Sequence, residues 1–343
     1  MKFISLAKAL SLGLTVFTAS SVFAAQYDFT MATTTPVSSP WGKTLTNFQH
    51  LAAQYTHGKV EIKTSFGGAL GNDTQLLQKA QLGSIVQGAQ SSGANLGTTV
   101  HAFKVFDIPY IFNSVETGMK LFYPNGKLGG KVVDELQTLM AKKNLRLLYV
   151  MPFEFRGILT TDKKVSTPSD MKGLKMRVTP SDVERTIITS LGAGATTLGI
   201  SEVYTALQTG TVDGLAIPPI TAVAFGLDEV AGNFNELNFQ PHGSFMTVNA
   251  LAWKRLPKNI QDELQKAADD AVHNNAALFK SVLTESINKF KAKGANVIEP
   301  TAAEKKAFAD VIQGPASKVA TKEFNSREKQ FYQTVKETIK SFK

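Results

Sequence analysis

Residues 170–178 read Asp-Met-Lys-Gly-Leu-Lys-Met-Arg-Val, and residues 201–214 read Ser-Glu-Val-Tyr-Thr-Ala-Leu-Gln-Thr-Gly-Thr-Val-Asp-Gly. The first stretch leaves a turn at Gly173 and runs as a strand from Leu174 to Val178. The second is a helix, with Ser201 as its natural cap and Gly210 at its end. Val212 to Ile217 then enters another strand. Strand, helix and strand in this rhythm place parallel strands in one sheet with helices on its faces.

The same rhythm continues upstream. Tyr27 to Ala32 is apolar at alternate positions, which predicts a strand, and Thr33 to Pro40 is a loop. A helix follows from Trp41 to Tyr55, with Trp41, Leu45, Phe48 and Ala52 along one face. After a strand at Val60 to Thr64, Gly67, Gly68 and Gly71 form a turn, and Asn72-Asp73 cap a helix from Thr74 to Leu82. Ile85 to Ala89 is a short buried strand; helices reaching Phe122 and covering Lys131 to Lys143 lead to a strand at Leu145 to Val150. A second α/β block opens near Phe155 with a strand from Arg156. Farther on, Leu264, Ala268, Val272, Leu278, Val282, Ile287 and Phe290 recur at helical spacing. One helix over Pro257 to Lys293 would brace both blocks; the alternative is two shorter helices broken near His273-Asn274-Asn275. A last helix covers about Lys322 to Phe342.

The start of the chain is of another kind. Lys2 and Lys8 precede an apolar or small run from Ala9 to Phe23, closed by Ala24-Ala25-Gln26. That is the pattern of a cleaved secretory leader over residues 1–25, and the run is short for a membrane span. No cysteine occurs, which excludes disulfides, thiolate metal sites and cysteine nucleophiles. Setting Lys2 and Lys8 aside lowers the formal charge from +9 to +7, and the basic residues are scattered rather than blocked. A solvated surface explains them, and no nucleic-acid partner is expected.

Catalytic patterns are missing as well. His50, His57, His101, His242 and His273 lie far apart, without metal-ligand spacing. There is no Gly-x-Ser-x-Gly elbow and no phosphate loop ending in Gly-Lys-Ser/Thr. No catalytic activity and no cofactor are therefore expected.

At residues 170–178 the chain resembles the "DLKGLKIRV" segment of the solute-binding proteins of tripartite ATP-independent periplasmic (TRAP) transporters. Residues 201–214 are similar to that family's "SEVYTALQTGVVDG", Gly67 to Gly71 to its "G-x-LG" turn, and Asp107-Ile-Pro-Tyr-Ile-Phe to its "DLPFLF". The four landmarks stand in family order. The resemblance implies a two-domain α/β periplasmic binding protein fold, with a ligand cleft between domains and a long domain-bridging helix. Residues 26–153 with about 243–280 would form one domain, and 154–242 with about 281–343 the other. It further implies a periplasmic monomer that closes on a small organic acid and delivers it to membrane permease subunits. An ABC-type binding protein and a sensory protein serving a receptor kinase are the alternatives.

Residue by residue, Arg177 matches the family arginine that grips a substrate carboxylate, a task suited to a two-pronged cation. Arg156 resembles a second ligand-side arginine, with a salt bridge to Glu154 or Asp162 as its other use, and neighbouring Phe155 would wall the cleft or equally pack in the core. First-domain contacts are expected from Trp41, Asn72, Ser91 and Ser92, on loops following strands, and His242 lies on a hinge crossing. Two departures matter. Ile200 stands where the family usually has Phe, and Leu215-Ala216-Ile217 replaces a Gln-Glu-Asn run whose Asn commonly bonds the carboxylate. Ile217 gives apolar surface instead, which favours an aromatic or branched monocarboxylate, and the lost oxygen ligands leave no metal site.

Overall fold

The computed structural model describes residues 25–342. The expected leader lies outside the described residues except for Ala25. A first lobe is built by β1 (Tyr27–Thr33), α1 (Pro40–Tyr55), β2 (Val60–Ser65), α2 (Asp73–Leu82), β3 (Gly88–Ser92), α3 (Gly93–Leu96), α4 (Val115–Phe122), α5 (Lys131–Ala141) and β4 (Leu145–Val150). A second follows in β5 (Glu154–Thr160), β6 (Lys175–Val178), α6 (Asp182–Ser190), β7 (Gly194–Thr197), α7 (Ile200–Gln208), β8 (Gly214–Ile217), α8 (Pro219–Ala224) and β9 (Asn233–His242). The chain then returns through β10 (Ser244–Asn249) and α9 (Ala250–Lys254). It ends in α10 (Lys258–Ala276), α11 (Phe279–Ala292), β11 (Asn296–Ile298), α12 (Ala302–Thr321) and α13 (Ser326–Ser341).

The strands form two sheets, ordered β2-β1-β3-β10-β4 and β11-β9-β5-β8-β6-β7. Parallel pairing holds for β1 with β2 and β3, and for β6 with β7 and β8. The exceptions to the expected parallel order are the two strands that have just crossed between lobes. β5 follows β4 and runs antiparallel to β8 and β9; β10 follows β9 and runs antiparallel to β3 and β4. At the second crossing a Cβ on Gly243 would come within 2.6 Å of the Phe153 and Phe245 rings, so only glycine fits. Those rings belong to an aromatic cluster, with Phe103, Phe106 and Phe122, that anchors both crossings in the first-lobe core. Each such buried ring contributes roughly 1.5–3 kcal/mol by leaving water.

Besides the short helices α3, α8 and α9, which the sequence reading did not anticipate, four helices depart from expectation. The long helix is broken at Ala277-Leu278: α10 packs on α1 and β4 in the first lobe, and α11 on α8 and β11 in the second. Both junction residues keep right-handed backbone angles, and Leu278 is left 58% exposed where the two arms follow different lobes. α7 begins at Ile200 behind Gly199, two residues earlier than a Ser201 cap would place it, because the Glu202 carboxylate accepts the Gly199 N–H at 2.7 Å. α12 has no counterpart in the sequence reading. Its Thr301–Glu304 capping box starts it, but its buried face of Phe308, Ile312, Ala316 and Ala320 is half alanine, and Pro315 lies inside it. Finally, α13 packs on α4 and α5, so the tail returns to the first lobe instead of staying with the second as the 281–343 assignment had it.

Candidate functional site

A cavity lies between the lobes, with about 610 Å³ of empty space including its open mouth. From the first lobe it is lined by Thr33 to Thr35 after β1, Trp41 on α1, Asp73 opening α2, Gln90 to Ser92 ending β3, and Asn95 in α3. From the second come Arg156 on β5, Arg177 and Thr179 at the end of β6, Ile200, Ile217, Pro218, Thr221 and Phe225, with His242 and Ser244 flanking the crossing. These positions cluster where parallel strands end and helices begin, because there the backbone turns and leaves a crevice outside the sheet.

Seven of the nine residues singled out in the sequence meet on this cavity: Arg177, Arg156, Ile217, Ile200, Trp41, Ser91 and Ser92. His242 joins them. Asn72 and Phe155 do not. Asn72 is consumed as the cap of α2: its side chain accepts the Gln75 N–H at 3.0 Å while Gln75 Oε1 accepts the Asn72 N–H at 3.0 Å. The next residue, Asp73, turns into the cavity in its place. Phe155 alternates with Arg156 along β5 and so points to the other face, where it meets the Phe112 ring at 6.1 Å.

The two arginines are placed very differently. Arg156 is 3% exposed; its Nη1 donates to the Ala216 carbonyl at 2.8 Å, and its Nη2 pairs with Glu184 Oε1 at 2.6 Å. The partner is thus neither Glu154 nor Asp162. Glu184 sits in the first turn of α6, where its other oxygen accepts the Thr179 N–H at 3.0 Å. Glu154 instead accepts from the Ile220 and Thr221 N–H groups and the Thr221 hydroxyl at the start of α8, and burial pushes its pKa up to about 7. Arg177 is 5% exposed and donates from Nε and Nη2 to one acceptor, the Leu198 carbonyl, at 3.0 and 2.9 Å. Among the described residues no carboxylate lies within 4.0 Å of it. Burial lowers its pKa to about 10, which leaves it charged at neutral pH. The Leu198 carbonyl fixes the plane of the guanidinium, so that its remaining edge is presented to the cavity at little entropic cost.

Around these cations the second-lobe wall is apolar, with Ile200, Ile217, Pro218 and Phe225, and Trp41 extends it from the first lobe. The opposite wall is hydroxyl-rich, with Thr33, Thr34, Thr35, Ser91 and Ser92. His242 is held neutral by burial, and next by the charges of Arg156 and Arg177, which push its pKa well below the ordinary value. Thr179 Oγ1 and His242 Nδ1 are buried on this surface without a hydrogen-bond partner among the described residues. They offer further polar contacts to a bound molecule or to water. Sequence reasoning passed over Asp73, Glu184 and Phe225. Ser181-Asp-Val-Glu184 does carry a helix-start spacing, but nothing local says that Glu184 reaches across to Arg156. Among the described residues no cluster of three His, Cys, Asp or Glu side chains could hold a metal ion.

Comparison with known proteins completes the picture. A family model described as bacterial extracellular solute-binding protein, family 7 (DctP) matches residues 31–323. The C4-dicarboxylate-binding periplasmic protein DctP of Rhodobacter capsulatus is 30% identical over 307 residues, 89% of either chain. Among solved structures, a TRAP periplasmic solute-binding protein of Chromohalobacter salexigens with bound D-glucuronate superposes with a TM-score of 0.83 at 25% identity, over 90% of this chain and 99% of that one. One of Desulfovibrio salexigens with bound orotic acid shares the fold with a TM-score of 0.86 at 22% identity, over 92% of this chain and 100% of that one. With a two-lobed cavity that positions a guanidinium out of salt-bridge reach of any described carboxylate, and a family model spanning nearly the whole described chain, the protein belongs to the bacterial extracellular solute-binding protein family 7, the periplasmic, non-catalytic solute-binding proteins of TRAP transporters.

Proposed function

We propose that the cavity captures an organic monocarboxylate with an aromatic or branched apolar body and presents it to the membrane subunits of a TRAP transporter. The observation that carries this reading is the difference between the partners of the two arginines. Arg156 is already neutralised by Glu184, whereas Arg177 has only the Leu198 carbonyl as partner. One carboxylate therefore completes the site, and a second would find no free guanidinium. The apolar wall of Ile200, Ile217 and Phe225 supports a hydrocarbon body, since a polar ligand group against Ile217 would lose about 1–3 kcal/mol of unmade hydrogen bonding.

The relatives favour the acid and leave its identity open: the R. capsulatus protein is named for C4-dicarboxylates, and the C. salexigens structure holds glucuronate. A thermal-shift screen of the leaderless protein against mono- and dicarboxylates of graded polarity tests the proposal. A ligand at one hundred times its dissociation constant adds about 2.7 kcal/mol of stability. The largest shifts are expected from aromatic and branched monocarboxylates. Shifts from succinate and hexuronates alone would refute the assignment.

A further inference from the structure

Among the described residues Asp73 is the single acidic side chain lining the cavity, and capture of a simple anion makes no use of it. It does not serve its own helix as the cap, since Asn72 and Gln75 form the capping box of α2. Its carboxylate faces the cavity instead, held by the Ser91 hydroxyl at 3.1 Å and by the Thr34 hydroxyl at 3.3 Å. On the same wall Gln90, 2% exposed, spends Nε2 on the Ser244 hydroxyl at 3.0 Å, and its Oε1 has no partner among the described residues. Arg177 thus looks across at a wall of acceptors.

Charge bookkeeping sharpens this. Arg156 and Glu184 cancel, which leaves one positive group, Arg177, and one negative group, Asp73, around the ligand space. A plain monoanion would bring that space to a net negative charge, and like charges repel strongly where water is thin. A molecule bearing both signs leaves it balanced. Burial raises the Asp73 pKa, the mark of a carboxylate that loses solvation, and a cation beside it would relieve that cost.

We propose that the ligand is a zwitterion, its carboxylate on Arg177 and an ammonium group on Asp73. The inference rests on the carboxylate reading above and narrows its substrate class to amino-acid-type molecules with an apolar body.

Titration calorimetry on matched probes tests it: leucine with 4-methylpentanoate and its 2-hydroxy acid, phenylalanine with 3-phenylpropanoate and its 2-hydroxy acid, and 5-aminopentanoate with pentanoate. In at least one set the amino member is expected to bind tenfold or more tighter than the plain acid. Asp73→Asn should weaken that member by at least tenfold and strengthen the plain acid, a crossing of signs that general loss of folding cannot produce. Plain acids binding as tightly in every set would overturn the proposal. So would a preference that survives Asp73→Asn, or a hydroxy acid that matches the amine. If no carboxylate of any kind binds, the carboxylate reading falls with it.

Discussion

Replacing Arg177 is the sharpest perturbation of this site. The side chain is 5% exposed, and two of its three nitrogens are fixed by the Leu198 carbonyl at 3.0 and 2.9 Å. The free edge therefore reaches a carboxylate already oriented, and the pair forms out of water. A hydrogen-bonded charged partner of this kind contributes roughly 2–3 kcal/mol. At 1.4 kcal/mol per tenfold, Arg177→Ala should weaken binding about 30- to 150-fold. Arg177→Lys keeps the charge but loses the fork, and its single ammonium would be drawn to the same Leu198 carbonyl, so at least a tenfold loss is expected there too. The assay is titration calorimetry with the strongest acid from the screen. Melting of the free protein is the control: a cooperative transition shows that Arg177→Ala still folds, although the Leu198 carbonyl loses both donors, at a cost of about 1–3 kcal/mol. An unchanged dissociation constant in a folded Arg177→Ala protein would refute the reasoning.

Three other outcomes follow from the same geometry. Glu184→Gln unmasks Arg156, so it should lower stability by about 3–5 kcal/mol and raise succinate affinity relative to monocarboxylates, read by melting and calorimetry. Ile217→Asn places an amide on the apolar wall and should move preference toward hydroxylated acids; if apolar acids still bind best, Ile217 is not the selecting surface. Glu154 has a folded pKa of about 7 against 4.5 when exposed, so its contribution is full below about 4.5 and declines as pH rises through 7. Between pH 5 and 8 the parent should lose stability relative to Glu154→Gln, and parallel melting curves across that range would remove the buried-acid account.

The elements that were legible are those whose signals are local. Trp41, Leu45, Phe48 and Ala52 mark the buried face of α1 by spacing alone, and all four are buried. Residues 174–178 and 212–217 announce strands, and the observed β6 and β8 lie within them. α12 was hidden because alanines blur its apolar stripe and Pro315 interrupts it. The break at Ala277-Leu278 was misplaced because helical periodicity runs through both arms, and the backbone there stays helical while the partner lobes differ.

By itself, the sequence determined that two α/β blocks exist and which family the landmarks match, and through that resemblance it singled out Arg156, Arg177 and Ile217. Those follow from periodicity and residue chemistry, which act over a few positions. Only the tertiary structure decided which arginine is free. Glu184 is 28 residues from Arg156 along the chain, yet it pairs with it at 2.6 Å, while Asn72 turns to its helix and Asp73 to the cavity. A buried charge is worth what surrounds it, and what surrounds it is set by packing between distant segments, because desolvation and Coulomb energy depend on distance through space and not along the chain.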